Sequence, residues 1–334
     1  MEDFRNLQQI LFKQIKERLP AGASMVNEIC DILSLTSDSA YRRIRGEKPL
    51  VLDEFYKLCR HFNISADEIF AIQNHGDSFV CRIIAAREMG FNGYLKNLHE
   101  TLLKIQTLQN PEILYFAKDV PLFHHFAFPG LAAFKIFFWS KTVMQMPEFK
   151  DLRFDPAGMD QQTFETGRLV MQLYSRIPSA EIWNEETINS LIRQMEYYLD
   201  GGMIVHKETA LNLCDETDAM IEHLSAQADA GAKFLPGTDI LIPGNFRLYN
   251  NEVILGDNSI CVTSESLKMT FLTLNVLNLM VTTEERFCVR MEDYLRTMMK
   301  KSSLISNDSE KERKRFINLM HYKVHQAKER IRYL

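Results

Sequence analysis

Residues 37–48 read SDSAYRRIRGEK. Ala40 and Ile44 stand four apart, so they fall on one side of a short helix. Arg42, Arg43 and Arg45 crowd the remainder, and Gly46 follows. Glycine tolerates the left-handed backbone that often ends a helix. The inward side of such a helix needs few apolar residues when it only docks against its own domain. Its outer side is then available for something anionic.

The flanking sequence supplies that domain. Phe4, Leu7, Leu11, Ile15 and Leu19 recur at steps of three and four, which predicts one amphipathic helix. Pro20-Ala21-Gly22 stops it. A second helix spans Met25 to Leu33, with Ile29, Cys30 and Leu33 inward, and Ser34-Leu35-Thr36 forms a short turn. After Pro49, a fourth stripe runs through Leu52, Phe55, Leu58, Cys59 and Phe62. Asn63-Ile64 turns the chain, and Ser65-Ala66-Asp67-Glu68 is a capping box that opens a fifth helix.

Helices two and three, joined by a tight turn, have helix-turn-helix spacing. The second helix of that motif enters the DNA major groove with its N-terminal residues at base edges. Arg42 and Arg45 suit this, because a guanidinium fork takes O6 and N7 of guanine together and also pairs with phosphate. Ser37 and Ser39 offer hydroxyl donors near the helix start. Asp38 is favoured there by the helix dipole and is suited to accept from a cytosine amino group. The Tyr41 hydroxyl reaches towards phosphate. Arg43 and Lys48 are expected to contact the DNA backbone, Lys48 from the loop past Gly46. A basic run alone is usually a solvated helix face. The surrounding order (helix, turn, basic helix, glycine, proline, apolar helix, capping box) is what points to DNA.

Residues 24–70 resemble the Cro/repressor-type helix-turn-helix domains. SAYRRIRGEKPL (39–50) followed by DEFYKLCRHFNISADEIF (53–70) is similar to the BetR-like regulators of the Bacteroidetes kind. The resemblance covers about residues 1–75. It implies a compact five-helix domain that recognises operator DNA as a dimer, with Ser37, Asp38, Ser39, Tyr41, Arg42 and Arg45 facing the groove. One position departs: the commoner pattern has a core residue three places before the glycine, where this chain has Arg43, and Ile44 takes the apolar place. The choice between Arg42 and Arg43 as groove residue is therefore open. Residues 1–75 carry about as many acids as bases. Non-specific attraction to phosphate is correspondingly weak, which leaves more to a few groove contacts.

The rest of the chain is less specific. Segments near 78–108, 112–146, 160–177, 180–200 and 207–230 carry helical periodicity. The pattern changes near Gly237. Phe246 to Tyr249 and Glu252 to Leu255 read as a hairpin around Asn250-Asn251, after a turn at Pro243-Gly244-Asn245 and before a strand at Ile260-Cys261-Val262. Residues 265–281 fit strand or helix. Helices then start at Thr282-Thr283-Glu284-Glu285 and Ser309-Glu310-Lys311-Glu312. The expected fold class is mainly α, in three parts: a helix-turn-helix DNA-binding domain (1–75), a helical regulatory and dimerisation region (76–235), and an α+β region with a β-meander (236–334).

Residues 113–141 (ILYFAKDVPLFHHFAFPGLAAFKIFFWSK) are dense in aromatics. At helical spacing such a cluster reads as core, with a dimer interface or a ligand pocket as alternatives. Adjacent histidines point about 100° apart on a helix, so His124 and His125 make a poor metal pair. The basic run Lys311, Arg313, Lys314, Arg315 has an apolar side at Phe316, Leu319, Met320 and Val324 and reads as a solvated amphipathic helix rather than a second nucleic-acid patch.

Bulk numbers set limits. The chain has 334 residues, is 46% hydrophobic and 25% charged, and carries a net charge of −5, so binding to an anionic polymer must come from a local patch. No two of the six cysteines form a Cys-x-x-Cys unit, which predicts reduced thiols in a reducing compartment. The N-terminus lacks the pattern of a signal peptide. Val120 to Trp139 is interrupted by His124, His125, Lys135 and two prolines, so no membrane span is expected and the chain reads as cytoplasmic. Phosphate-binding glycine loops, Gly-x-Ser-x-Gly and His-Glu-x-x-His are missing, so no enzyme activity, cofactor or metal is expected. The expectation is a one-component transcription regulator with double-stranded DNA as partner. The C-terminal part would form a homodimer and sense a small-molecule or peptide effector. The rival is a scaffold or antitoxin-like protein that uses the helix-turn-helix fold for protein docking.

Overall fold

The chain divides into two units, residues 1–78 with one hydrophobic core and residues 79–334 with a core on each face of a sheet. The computed structural model describes residues 2–20, 23–70, 79–81, 86–238, 244–253, 256–274 and 278–333, with side chains from residue 6 onward except at 67, 68 and 86–89. The capping residues Asp67 and Glu68, the Phe4 side chain, Pro243 and Leu255 lie outside what is described.

The N-terminal unit has the five expected helices: α1 (Glu2–Arg18), α2 (Met25–Leu33), α3 (Ser37–Ile44), α4 (Leu52–His61) and α5 (Ala66–Phe70). Leu11, Phe12 and Ile15 of α1 meet Ile29 of α2, Ala40 of α3, Leu58 and Cys59 of α4, and Ile69 of α5. Burying each large aliphatic side chain contributes about 1.5–3 kcal/mol, so this small core is enough to hold short helices that would not persist alone. The α4 stripe begins later than expected. Leu52, in the first turn, is 81% exposed, and the inward face starts at Phe55.

The larger unit is built on an eight-stranded mixed sheet. Its centre is three adjacent parallel strands, β2 (Glu112–Phe116), β3 (Ser179–Trp183) and β4 (Phe246–Asn250). On the far side of β2 the sheet continues antiparallel through β5 (Ser259–Thr263), β6 (Met269–Thr273), β7 (Leu279–Thr282) and β1 (Val80–Cys81). β8 (Ser303–Leu304) closes the other edge on β4. Parallel neighbours require long crossovers. Helices α7 (Leu122–His125), α8 (Pro129–Phe138) and α9 (Gln161–Arg176) connect β2 to β3, and α10 (Asn189–Asp200) and α11 (Lys207–Ala230) connect β3 to β4.

Side chains alternate across the sheet. Ile113, Tyr115, Trp183, Phe246 and Leu248 point into the main core, where α6 (Ala86–Gln106), α8 to α11 and α13 (Glu310–Tyr333) pack. Leu114, Phe116, Ala180, Ile182 and Cys261 point the other way, under Leu295, Met298 and Met299 of α12 (Glu285–Lys300). The aromatic stretch around α8 is core, as expected: Phe123, Phe126, Phe134, Phe137, Phe138 and Trp139 are all buried.

Several expectations change. Residues 112–116 and 179–183 are strands, not helical. The chain at Asn250-Asn251 makes no hairpin, because β4 takes β3 and β8 as its partners. The sheet therefore draws strands from both of the regions expected at 76–235 and 236–334. Residues 265–281 hold strands β6 and β7 within their described part. α12 begins where expected, but Glu284 is its cap residue without a side-chain cap bond. Arg313 is buried and paired with Asp229, so it takes no part in a basic surface on α13. Among the described residues no helix is long and apolar enough to cross a membrane.

Candidate nucleic-acid interface

Local chemistry fixes both ends of α3. Thr36 Oγ1 accepts the Ser39 amide hydrogen (3.4 Å), which satisfies one of the free donors at the helix start. At the other end Gly46 has φ +72°, and the amides of Glu47 and Lys48 return to the Arg42 carbonyl (2.8 and 3.1 Å). α2 ends with Ser34 in the left-handed region (φ 54°), so the α2–α3 turn is short and fixed. The two helices pack on each other, as the motif requires.

The arginines divide by burial. Ala40 is 0% and Arg43 is 4% exposed, so the inward face of α3 is Ala40 and Arg43, with Ile44 half-buried beside them. Arg43 is thus not a DNA-backbone contact. Its Nε and one terminal nitrogen donate to the two oxygens of Glu54 (2.9 and 2.6 Å), and its other terminal nitrogen donates to the Ser39 carbonyl (3.1 Å). That settles the open choice: Arg43 occupies the core position three places before the glycine, and a carboxylate on α4 makes this tolerable. Buried arginine requires such a partner. The same Glu54 accepts the Val51 amide (3.2 Å) at the start of α4. The Arg43 guanidinium holds the Glu54 carboxyl below its usual range, against the opposing effect of burial.

The outward face carries the remaining candidates. Ser37, Asp38, Tyr41, Arg42 and Arg45 are exposed at positions that share one side of the helix, and Ser39 is half-buried at its margin. Arg45 makes an exposed pair with Glu47 (3.1 Å), of a kind that contributes about 0–1 kcal/mol and yields readily to phosphate. Lys48 is exposed in the loop beyond Gly46. That loop is strapped from behind by Gln8 of α1. Its amide donates to the carbonyls of Arg43 (2.6 Å) and Lys48 (2.9 Å) and accepts from the Leu50 amide (3.0 Å). Arg42, Arg45 and Lys48 thus stand on one rigid segment. Glu54 and Gln8 are positioning residues that sequence reasoning missed. Glu54 had a local signal, as an acid in the first turn of a helix; Gln8 had none.

Residues 7–89 match the family model of the BetR domain. The BetR domain is a helix-turn-helix DNA-binding domain, and the match supports DNA as a partner of this part of the chain. The match contains α2, α3 and every candidate groove residue, and it leaves most of the chain outside. No curated protein and no solved structure matches the chain. Among the described residues of the BetR segment, the exposed face of α3 carries charged and hydroxyl side chains of the kind that a groove takes.

Proposed function

We propose that the chain is a one-component transcription regulator. α3 is pressed into the major groove, Arg42 and Arg45 take base edges or phosphate, and Ser37, Asp38 and Tyr41 complete the contacts. Lys48 holds the DNA backbone. The larger unit dimerises and answers to an effector, and no catalytic step is assigned to it. Free thiols and a DNA partner fit a cytoplasmic protein. The observation that carries this reading is the division of α3: its apolar and ion-paired side docks it, and Ser37, Asp38, Tyr41 and Arg42 are turned outward, with Ser39 at the margin.

The test is a gel-shift assay with the cognate duplex, found by selection from random DNA. Arg42→Ala combined with Arg45→Ala is expected to weaken binding at least about a hundredfold, since one good bidentate contact discriminates by about 1–3 kcal/mol. The fold should be unchanged, because neither side chain supports the core. Undiminished affinity would overturn the reading.

The protein-docking reading has one observation in its favour. Val51, Leu52 and Tyr56 are 58%, 81% and 57% exposed around the start of α4. Salt separates the two: DNA binding through phosphates weakens steeply as salt rises, while binding through an apolar patch does not.

A further inference from the structure

The carboxyl ends of β2 and β3 open into a cavity of about 600 Å³, bounded by Lys118 and Asp119 after β2, Asn184 and Glu186 after β3, and Arg193 and Tyr197 on α10. The volume is in the range of small-molecule sites. A further wall comes from Phe138 and Thr142, at the point where α8 passes into a π-helical turn, Trp139–Val143. Such turns are rare and concentrate at functional sites.

The charges around the cavity are not all satisfied. Four lining side chains carry a charge at neutral pH, and two already have partners outside the cavity. Lys118 Nζ pairs with Asp257 (2.5 Å), and Glu186 pairs with Lys323 (2.9 Å). The other two, Arg193 and Asp119, make no side-chain hydrogen bond or ion pair among the described residues. Asp119 is nevertheless fixed in place, because the Asn258 side-chain oxygen accepts the amides of Lys118 and Asp119 (2.8 and 3.3 Å). The Lys135 ammonium, buried beneath and bonded to Gln194 (2.7 Å), attracts the Asp119 carboxylate without pairing with it. One free guanidinium, on the exposed Arg193, and one free carboxylate thus line the same open cleft as the amides of Asn184 and Gln194.

We propose that this cavity binds a small zwitterion, an amino acid or short peptide, with its carboxylate on Arg193 and its ammonium on Asp119. A guanidinium fork matches a carboxylate in two parallel hydrogen bonds, and a carboxylate accepts from an ammonium. The inference deepens the effector reading above and rests on it only for the consequence at DNA.

The test uses the full chain and isothermal titration calorimetry. The probes are the protein amino acids and a set of dipeptides, each at up to about 10 mM. Controls are the same compounds with the amine acetylated, with the carboxylate amidated, or with both blocked. The expected result is saturable binding of at least one free zwitterion. Acetylation, amidation, Arg193→Gln and Asp119→Asn should each weaken it at least about tenfold. Neither side chain supports the fold, so both variants should keep the wild-type melting profile. The proposal is overturned if no zwitterion binds, if blocked compounds bind equally well, or if the variants bind as wild type does. DNA affinity is measured separately with the bound probe. Zwitterion binding without any change in DNA affinity would uphold the site and overturn only the effector role.

Discussion

At Arg43 one charge decides how the other two arginines are displayed. Its guanidinium is buried against Glu54, and that pair sets the rotation of α3 relative to α4. Glu54→Ala leaves the guanidinium inside with only a carbonyl for company. Removing one partner of a buried pair is expected to cost about 3 kcal/mol, read as faster hydrogen exchange across α2 to α4. Replacing both residues by methionine should cost less than either single change. The pair also predicts a pH effect. Because Glu54 titrates below its ordinary value of 4.5, its contribution is fully present above pH 4.5 and is lost as pH falls below it; Glu54→Gln should remove that dependence. At Lys135 it is the charged form that burial disfavours. Burial pulls it from 10.5 down to about 8, so the folded state sheds its proton before the unfolded chain does. Stability of the larger unit should rise between pH 8 and 10.5. Lys135→Met should abolish the rise and stabilise the protein at pH 7 by up to about 3 kcal/mol, checked by thermal melts across that range.

At the level of elements, what was legible depended on how much of each was solvent-facing. α2 reads directly as Met25–Leu33 and α11 as Lys207–Ala230, because each alternates apolar and polar residues with the helical period. β2 (EILYF) and β3 (SAEIW) carry no such contrast. They are parallel strands buried on both faces, and a short apolar run of that kind has the same appearance as a piece of buried helix. The hairpin at Asn250-Asn251 failed for a related reason: local turn chemistry allowed it, but the partners of β4 come from residues 179–183 and 303–304, which no local pattern reveals. The interface was legible as a basic helix, yet Arg43 could be sorted from Arg42 only once Glu54 was brought against it. The same local logic makes Gly46 a test of the helix end. At φ +72° a side chain is strained, so Gly46→Ala should destabilise the N-terminal unit by about 1–2 kcal/mol. It should weaken DNA binding more than a matched loss of stability elsewhere, because it also disturbs Arg45 and Lys48. Gel shifts beside chemical melts of Gly46→Ala and Thr36→Ala would separate the two effects.

Over the whole molecule, a single α3 offers few contacts to DNA. Its unit has nearly balanced charge, so phosphate attraction adds little, and one copy of this surface would bind weakly and with little sequence preference. Doubling the reading helix corrects both shortcomings, since a second half-site held by the same assembly binds as an intramolecular event. A dimer through the larger unit would therefore require two half-sites one helical turn apart, about 34 Å, arranged as a pseudo-palindrome. The consequence is testable with the full chain on duplexes that differ only in spacing. Inserting about 5 bp between the half-sites turns the second one to the opposite face of the duplex, and about 10 bp returns it to the same face. Tight binding should be lost with the shorter insertion and partly recovered with the longer one, with two chains per duplex by light scattering. Equal affinity at every spacing would mean that each chain reads DNA independently, and the larger unit would then have no part in setting the operator.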